Sequence, residues 1–295
     1  ADFMAGNAKF ERNGSTSSVI NEGELKVALG GYIALLAPEV RNAGVIVAQA
    51  GTVALASGEA VTLHIEGSNS LAGIAVQLSL INTLVDNQQA VLAPGGLIIL
   101  SAGAAAQVAG GVIKNSGRLE ASSLTEKGGK IWLEGDTLTL KSGSNINATG
   151  ATGGGEVLVG GGWQGSGGLH QATMVTMEAG ATIDVSATKV GNGGTAVLWS
   201  DVTKAESLTI VAGTILAKGG AVGGNGGKIE TSGHSVDIGR VSVSASAPKG
   251  TGGLWLIDPT DATINQTVAN SYATTLNGGT SVLNEVTGAI TWSSN

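Results

Sequence analysis

The chain has no cysteine among its 295 residues. Disulfide-stapled small-domain architectures are therefore excluded, and packing and backbone hydrogen bonds must hold any core. The absence also suits a chain exported unfolded, because a premature bridge would jam a pore. Aromatics make up 3% of the sequence and charged residues 13%. Low charge alone could signal disorder, but apolar residues reach 42% and mean hydropathy is +0.25, so the chain folds. Basic residues occur singly, 15 against 22 acidic ones, for a net charge of −7. Binding to a nucleic-acid backbone needs clustered cations and is not expected. The opening residues Ala1-Asp2-Phe3-Met4-Ala5-Gly6 contain neither the basic nor the apolar region of a secretory leader. The one uncharged stretch long enough to raise a membrane question, Val91 to Ile113, is broken by Pro94, Ser101, Gln107 and glycines, so it does not read as a membrane span.

What is abundant is glycine, at 49 positions, in a repeated arrangement. Two glycines, a variable residue and alternating apolar positions recur from Gly30-Gly31, Gly95-Gly96, Gly128-Gly129, Gly154-Gly155, Gly193-Gly194, Gly226-Gly227 and Gly252-Gly253. A second phrase, Asn-x-Gly, appears at Asn21-Glu22-Gly23, Asn42-Ala43-Gly44 and Asn115-Ser116-Gly117. Gly31-Tyr32-Ile33-Ala34-Leu35 returns 20 residues later as Gly51-Thr52-Val53-Ala54-Leu55. A unit this short cannot close a core alone and must stack on its neighbours. Apolar residues at every second position, β-branched enrichment and frequent Gly, Asn and Ser corners make each unit a set of short strands. No stretch shows a sustained 3.6-residue apolar stripe with caps.

The pattern predicts an all-β fold, a right-handed parallel β-helix of about 20 residues per rung, with handedness following the bias of parallel crossovers. Ten to twelve rungs at roughly 4.8 Å would make a rod of about 50 Å. The shaft is expected over residues 1–257, with residues 258–295 forming a turn and continuing into a further β-rich repeat region. Ile33, Val53, Leu55, Ile98, Leu100, Ile131, Leu133, Val157, Val159, Leu198 and Ile229 are expected inside.

The phrases Phe3-Met4-Ala5-Gly6-Asn7-Ala8-Lys9-Phe10, Val19-Ile20-Asn21-Glu22-Gly23 and Gly30-Gly31-Tyr32-Ile33-Ala34-Leu35-Leu36 resemble filamentous-haemagglutinin-type exoproteins of two-partner secretion systems, which are large Gram-negative surface adhesins. Val40-Arg41-Asn42-Ala43-Gly44, Gly51-Thr52-Val53-Ala54-Leu55-Ala56-Ser57-Gly58, Val157 to Gly165 and Gly252 to Pro259 continue the likeness. The resemblance implies a β-helical shaft exported through a dedicated outer-membrane transporter to the extracellular face of the outer membrane, or released. It further implies attachment to host cells or to other bacteria in a biofilm. The front departs from the family: its Asn-Pro-Asn-Gly phrases are absent, and only a tail end of the secretion domain is expected, within residues 1–58. The chain breaks off in mid-pattern and reads as a piece of something longer.

Glycan-processing β-helix enzymes are the catalytic alternative. They need several titratable groups converging across rungs, and no Asp-Asp pair or Asn-Thr-Asp phrase occurs, so no enzyme, metal site or cofactor is expected. His64, His170 and His234 lie in unrelated contexts, with His234 at a corner, and Asp258 and Asp261 around Pro259 read as turn formers. Gly223-Gly224-Asn225-Gly226-Gly227-Lys228 fails as a P-loop, with Val222 in place of the first glycine and Ile229 in place of Ser or Thr. Ice binding needs Thr-x-Thr ladders, and Thr137-Leu138-Thr139 stands alone.

Two readings remain: a passive spacer without a ligand, and a monomeric rod whose side binds host-cell or biofilm-matrix glycans, exopolysaccharide among them, or surface proteins. Exposed tryptophans would mark the second, because indole rings stack on sugar faces. Alternation sends Trp132 and Trp199 outward and Trp255 inward, while Trp163 lies in the loop Gly160 to Gly168. The competing reading of Trp132 and Trp199 is packing beneath a loop that crosses the shaft. Asn13-Gly14-Ser15, Asn147-Ala148-Thr149 and Asn265-Gln266-Thr267 are glycosylation sequons that chance alone would supply. Far-UV circular dichroism of the chain should be dominated by strand, and solution scattering should show an elongated particle. A helical spectrum or a compact particle would contradict the repeat reading.

Overall fold

The structure is a computed structural model that describes residues 8–66, 70–105 and 110–293. The opening phrase Phe3 to Asn7, and Gln107, lie outside the described residues. Three long parallel sheets run side by side along the chain. The first holds eight strands, from Ser18–Asn21 to Ser235–Asp237, and the second eight, from Glu24–Lys26 to Ser242–Ser244. The third holds nine, from Tyr32–Leu36 to Ser281–Asn284. The chain visits the three in turn, so each rung is one strand of each sheet: a parallel β-helix.

Among the described residues eight complete rungs form, fewer than the ten to twelve expected, because residues are spent outside the shaft. Asn21 and Asn42 occupy equivalent places 21 residues apart, as the repeat predicts. The next intervals along the same column are 45 and 28 residues. The longest interval carries an insertion: Ala60–Glu66 and Ser70–Gln77 pair antiparallel, and Lys9–Glu11 adds a third strand. This small sheet lies against the outer side of the first rungs, where Val61, Leu63 and Leu71 bury Ala54 and Ala56.

Inside the shaft one apolar column follows another. All the expected core residues from Val53 to Ile229 are fully buried in one continuous cluster. Ile33 packs on that cluster but is only half-buried, because Tyr32–Leu36 is the first strand of its sheet and has a single neighbour.

The two repeated phrases answer two needs of stacking. At the corner between the first and second sheets, buried Asn21, Asn42, Asn87 and Asn115 form a ladder. Each side-chain Nδ2 donates to the next Oδ1 at 2.7–2.8 Å, and Asn115 donates to the Ser144 hydroxyl at 2.6 Å. The glycine after the asparagine lets neighbouring backbones touch: a Cβ on Gly44 would collide with the Gly23 carbonyl oxygen.

The double glycine acts similarly ahead of the third sheet. A Cβ on Gly51, Gly96, Gly129, Gly155, Gly194, Gly227 or Gly253 would strike the carbonyl oxygen of the equivalent glycine one rung earlier. Backbone rotation explains only the first members Gly30 and Gly95, at φ of +76° and +69°. In later copies the first glycine also makes room for backbone, as at Gly128, where a Cβ would meet the Ala148 carbonyl oxygen.

Residues 258–293 continue the third sheet through Ser281–Asn284, and they also hold a feature that the sequence reading excluded. A helix, α1 (Gln266–Asn277), starts at Asn265, whose side chain accepts from the Val268 N–H at 3.0 Å. Val268, Ala269 and Tyr272 pack on the core, and the Tyr272 ring meets Trp255 edge-on at 5.7 Å. The helix thus covers the end of the apolar interior.

Gly155→Ala should lower unfolding stability by about 3 kcal/mol or more, since neither backbone can yield without breaking a ladder. Gly73→Ala, in the outer hairpin with open space around it, should change stability by less than about 0.5 kcal/mol. Urea denaturation of the two variants checks this, and equal effects would refute the stacking account. Leu133→Asp, which puts an unpaired charge in the dry core, should lose native hydrogen-exchange protection over several rungs rather than locally.

Candidate functional site

The outer side of the third sheet carries the tryptophans. Ile131 and Leu133 point in, so Trp132 points out, in register with Leu158 of the next rung and then Val197. Trp199 also faces outward, yet only 3% of it is exposed. The loop from Gly160 to Gln171 crosses above it: a Cβ on Gly165 would come within 2.8 Å of the Trp199 ring, and its Nε1 donates to Gln171 Oε1 at 3.1 Å. Trp199 is therefore sealed under the loop and is removed from any sugar platform. Packing beneath a crossing loop, the competing reading, is what the structure shows there.

Trp132 and Trp163 remain half-exposed at the margin of this cluster. Trp163 begins a single turn of 3₁₀ helix, Trp163–Gly165, and its Nε1 donates to Gln164 Oε1 at 3.1 Å. The Trp132 Nε1 donates to Glu156 Oε1 at 3.0 Å. Each ring has a lysine ammonium over it, Lys130 at 5.6 Å from Trp132 and Lys228 at 5.3 Å from Trp163. The site thus offers two indole rings, two ammonium groups and one carboxylate.

The loop is fastened by carboxylates that the sequence reading did not single out. Glu230, wholly buried, accepts the Gln164 backbone N–H at 2.8 Å and the Ser232 hydroxyl at 3.0 Å. Burial pushes its carboxyl up to about 7, with Asp258 and Glu285 adding to the rise. Asp258 belongs to the strand Leu254–Pro259 rather than to a turn, which corrects the sequence expectation. Asp261 does sit in the turn, where its Oδ1 accepts the Ala289 N–H. At the other end of the loop, the His170 Nε2–H donates to Asp136 Oδ1 at 2.8 Å. Burial would raise the Asp136 carboxyl, but His170 and the Gly111 N–H hold it below its ordinary value. Glu134 nearby is pushed up to about 7 by burial, against the pull of His170.

His234 lies at its expected corner but is not left to solvent, since its Nδ1 meets the Thr260 hydroxyl at 3.0 Å. His64, on the outer hairpin, is far along the chain from both. Two sequon asparagines are engaged: Asn147 Oδ1 accepts the Thr149 N–H, and Asn265 caps α1. Among the described residues, no group of three His, Cys, Asp or Glu side chains is placed to hold a metal ion, and no helix is long and apolar enough to cross a membrane.

Stacked parallel sheets with outer insertions define the class as a parallel β-helix. The chain is similar to the HMW1 secretion domain from Haemophilus influenzae, with 28% identity and a TM-score of 0.62 over 87% of this chain and 71% of that one. The likeness supports an association with two-partner secretion, and it extends far beyond residues 1–58. No protein-family model and no curated protein matches the chain.

Glu134 and Glu230 are harder to ionise in the folded chain than in the unfolded one. Between about pH 4.5 and 7 the folded state therefore binds more protons, and their contribution to stability falls as pH rises through that window. Glu230→Gln should flatten this slope: the urea midpoint should drop less between about pH 5.5 and about pH 8 than in the parent chain. An unchanged slope would contradict the buried state of Glu230.

Proposed function

We propose that the chain is the secretion-competent β-helical part of a surface adhesin, recognised by a dedicated outer-membrane transporter and carried to the cell exterior. The likeness to a secretion domain over most of the chain carries this reading. The fold supports it physically. A rod whose rungs contact only their neighbours can form progressively as it emerges, with no disulfide and no distant partner to wait for.

The adhesive role rests on the side of the rod. Trp132 with Lys130 and Glu156, and Trp163 with Lys228, combine a ring for the apolar face of a sugar with groups that hydrogen-bond its hydroxyls. The ligand class is an exopolysaccharide or a host-cell glycan. Trp199, sealed beneath the loop, takes no part. The passive spacer is the competing reading.

Export is tested by co-expressing the chain with a two-partner transporter and measuring its release. Release should require the transporter and should fall sharply for Leu133→Asp, which cannot build the rod. Release without the transporter would refute the first half of the proposal. A glycan array tests the second half: a Trp132→Ala/Trp163→Ala double variant should lose at least about tenfold in binding while keeping the strand-dominated circular dichroism of the parent chain. Silence of the parent chain across diverse glycans would leave the passive spacer.

A further inference from the structure

The corner between the second and third sheets changes character along the rod. In the first three rungs it is short, spanning residues 27–31, 48–51 and 93–96. In the next five it lengthens into loops at residues 121–129, 148–155, 185–194, 217–227 and 245–253. These loops do not trail individually into solvent. Ser123, Gly150 and Ala187 are joined by successive parallel bridges, and Val190 by another to Gly223. The Ala187 N–H donates to the Lys218 carbonyl at 2.9 Å, the Val222 N–H to the Lys189 carbonyl at 2.8 Å, and the Gly219 N–H to the Ser246 carbonyl at 2.9 Å. The result is a rigid ridge parallel to the rod axis.

The ridge is basic on an otherwise acidic chain. Lys127, Lys189, Lys218 and Lys249 stand on four of its five loops, against a single carboxylate, Glu126. All four lysines are exposed, and none forms an ion pair among the described residues. The carboxylates bordering the ridge are engaged elsewhere: Glu120 with Arg118 and Ser122, Asp184 with the Ser186 N–H, and Glu156 with Trp132. Between the lysines the same loops hold out large aliphatic side chains, Leu124 at 88% exposure, Val222 at 77% and Val190 at 47%. Val190 and Val222 are held by backbone bonds to the Ala151 and Lys189 carbonyls, and Leu124 lies in the short bend between Ser123, bridged to Gly150, and Glu126, whose N–H donates to Ser123 Oγ.

We infer that this ridge docks on an anionic lipid surface, the lysines meeting headgroup phosphates and Leu124 and Val222 entering the acyl boundary. A soluble polyanion would account for the lysines but gives Leu124 and Val222 no apolar phase to enter. A lipid interface takes both kinds of group at once. The contact lies along one edge of the rod, so the rod would lie flat on the surface rather than stand on its end. It is independent of the tryptophan site, which occupies the outer face of the third sheet.

Co-sedimentation with vesicles tests this. The chain should bind mixed phosphatidylglycerol–phosphatidylcholine vesicles, ignore pure phosphatidylcholine, and be released by added salt. A Lys189→Gln/Lys218→Gln/Lys249→Gln variant should bind about a hundredfold more weakly, at about fivefold per lysine, with an unchanged unfolding midpoint. Leu124→Asn/Val222→Asn should weaken vesicle binding while leaving retention on soluble polygalacturonate as it was. Absence of vesicle binding, full vesicle binding by either variant, or binding to polygalacturonate alone would overturn the inference.

Discussion

The distance of closest approach between successive backbones governs this molecule. At the turn into the third sheet each rung rests on the one before it through a column of glycines, and a Cβ on Gly51, Gly96, Gly129, Gly155, Gly194, Gly227 or Gly253 would collide with the carbonyl oxygen of the glycine below it. That contact fixes where every third-sheet strand begins. The strand phase in turn sends Ile131 and Leu133 inward and Trp132 outward, and aligns the residues of each rung with the next. Glycine is usually counted as a cost to folded structure because it frees the unfolded chain. Here the loss is offset by an unbroken parallel ladder that a larger residue would prevent.

Much of the shaft was legible in the sequence because its determinants are local and periodic. The double glycine announces the third sheet, Asn-x-Gly announces the corner before the second, and alternation identifies the core from Val53 to Ile229. The number of rungs was not legible, because period counting cannot distinguish a rung from residues looped outside it, such as the hairpin Ala60–Gln77. Asn87 escaped notice for a related reason: Gln89 follows it where the phrase has glycine, although its side chain completes the ladder. Helix α1 was missed because its apolar side is thin, resting on Val268, Ala269 and Tyr272. Its usable signals were the Asn265 cap and the Gly278-Gly279 stop.

The site was less legible than the shaft. Alternation alone correctly turned Trp132, Trp199 and Trp255, but exposure depends on what lies above a position, and that is a contact between distant residues. Trp199 is covered through Gln171 and Gly165, and the fastening of the loop depends on Glu230, which lies 66 residues from Gln164. No local pattern encodes such a pairing. The consequence is a division of labour: the shaft tolerates little change, whereas the outer hairpin and the tryptophan loop lie outside its three ladders.

The asparagine ladder has a direction. Every Nδ2 points its proton toward the following rung, from Asn21 through Asn42 and Asn87 to Asn115, and the series closes on a serine hydroxyl. A rod assembled only part of the way therefore ends in an amide whose acceptor has not yet arrived. Its growing tip is chemically unlike its base, and each rung that docks there relieves one vacancy while opening the next. A chain delivered from its amino end would meet such a tip over its first four rungs, so growth in one direction is written into the side-chain hydrogen bonds there.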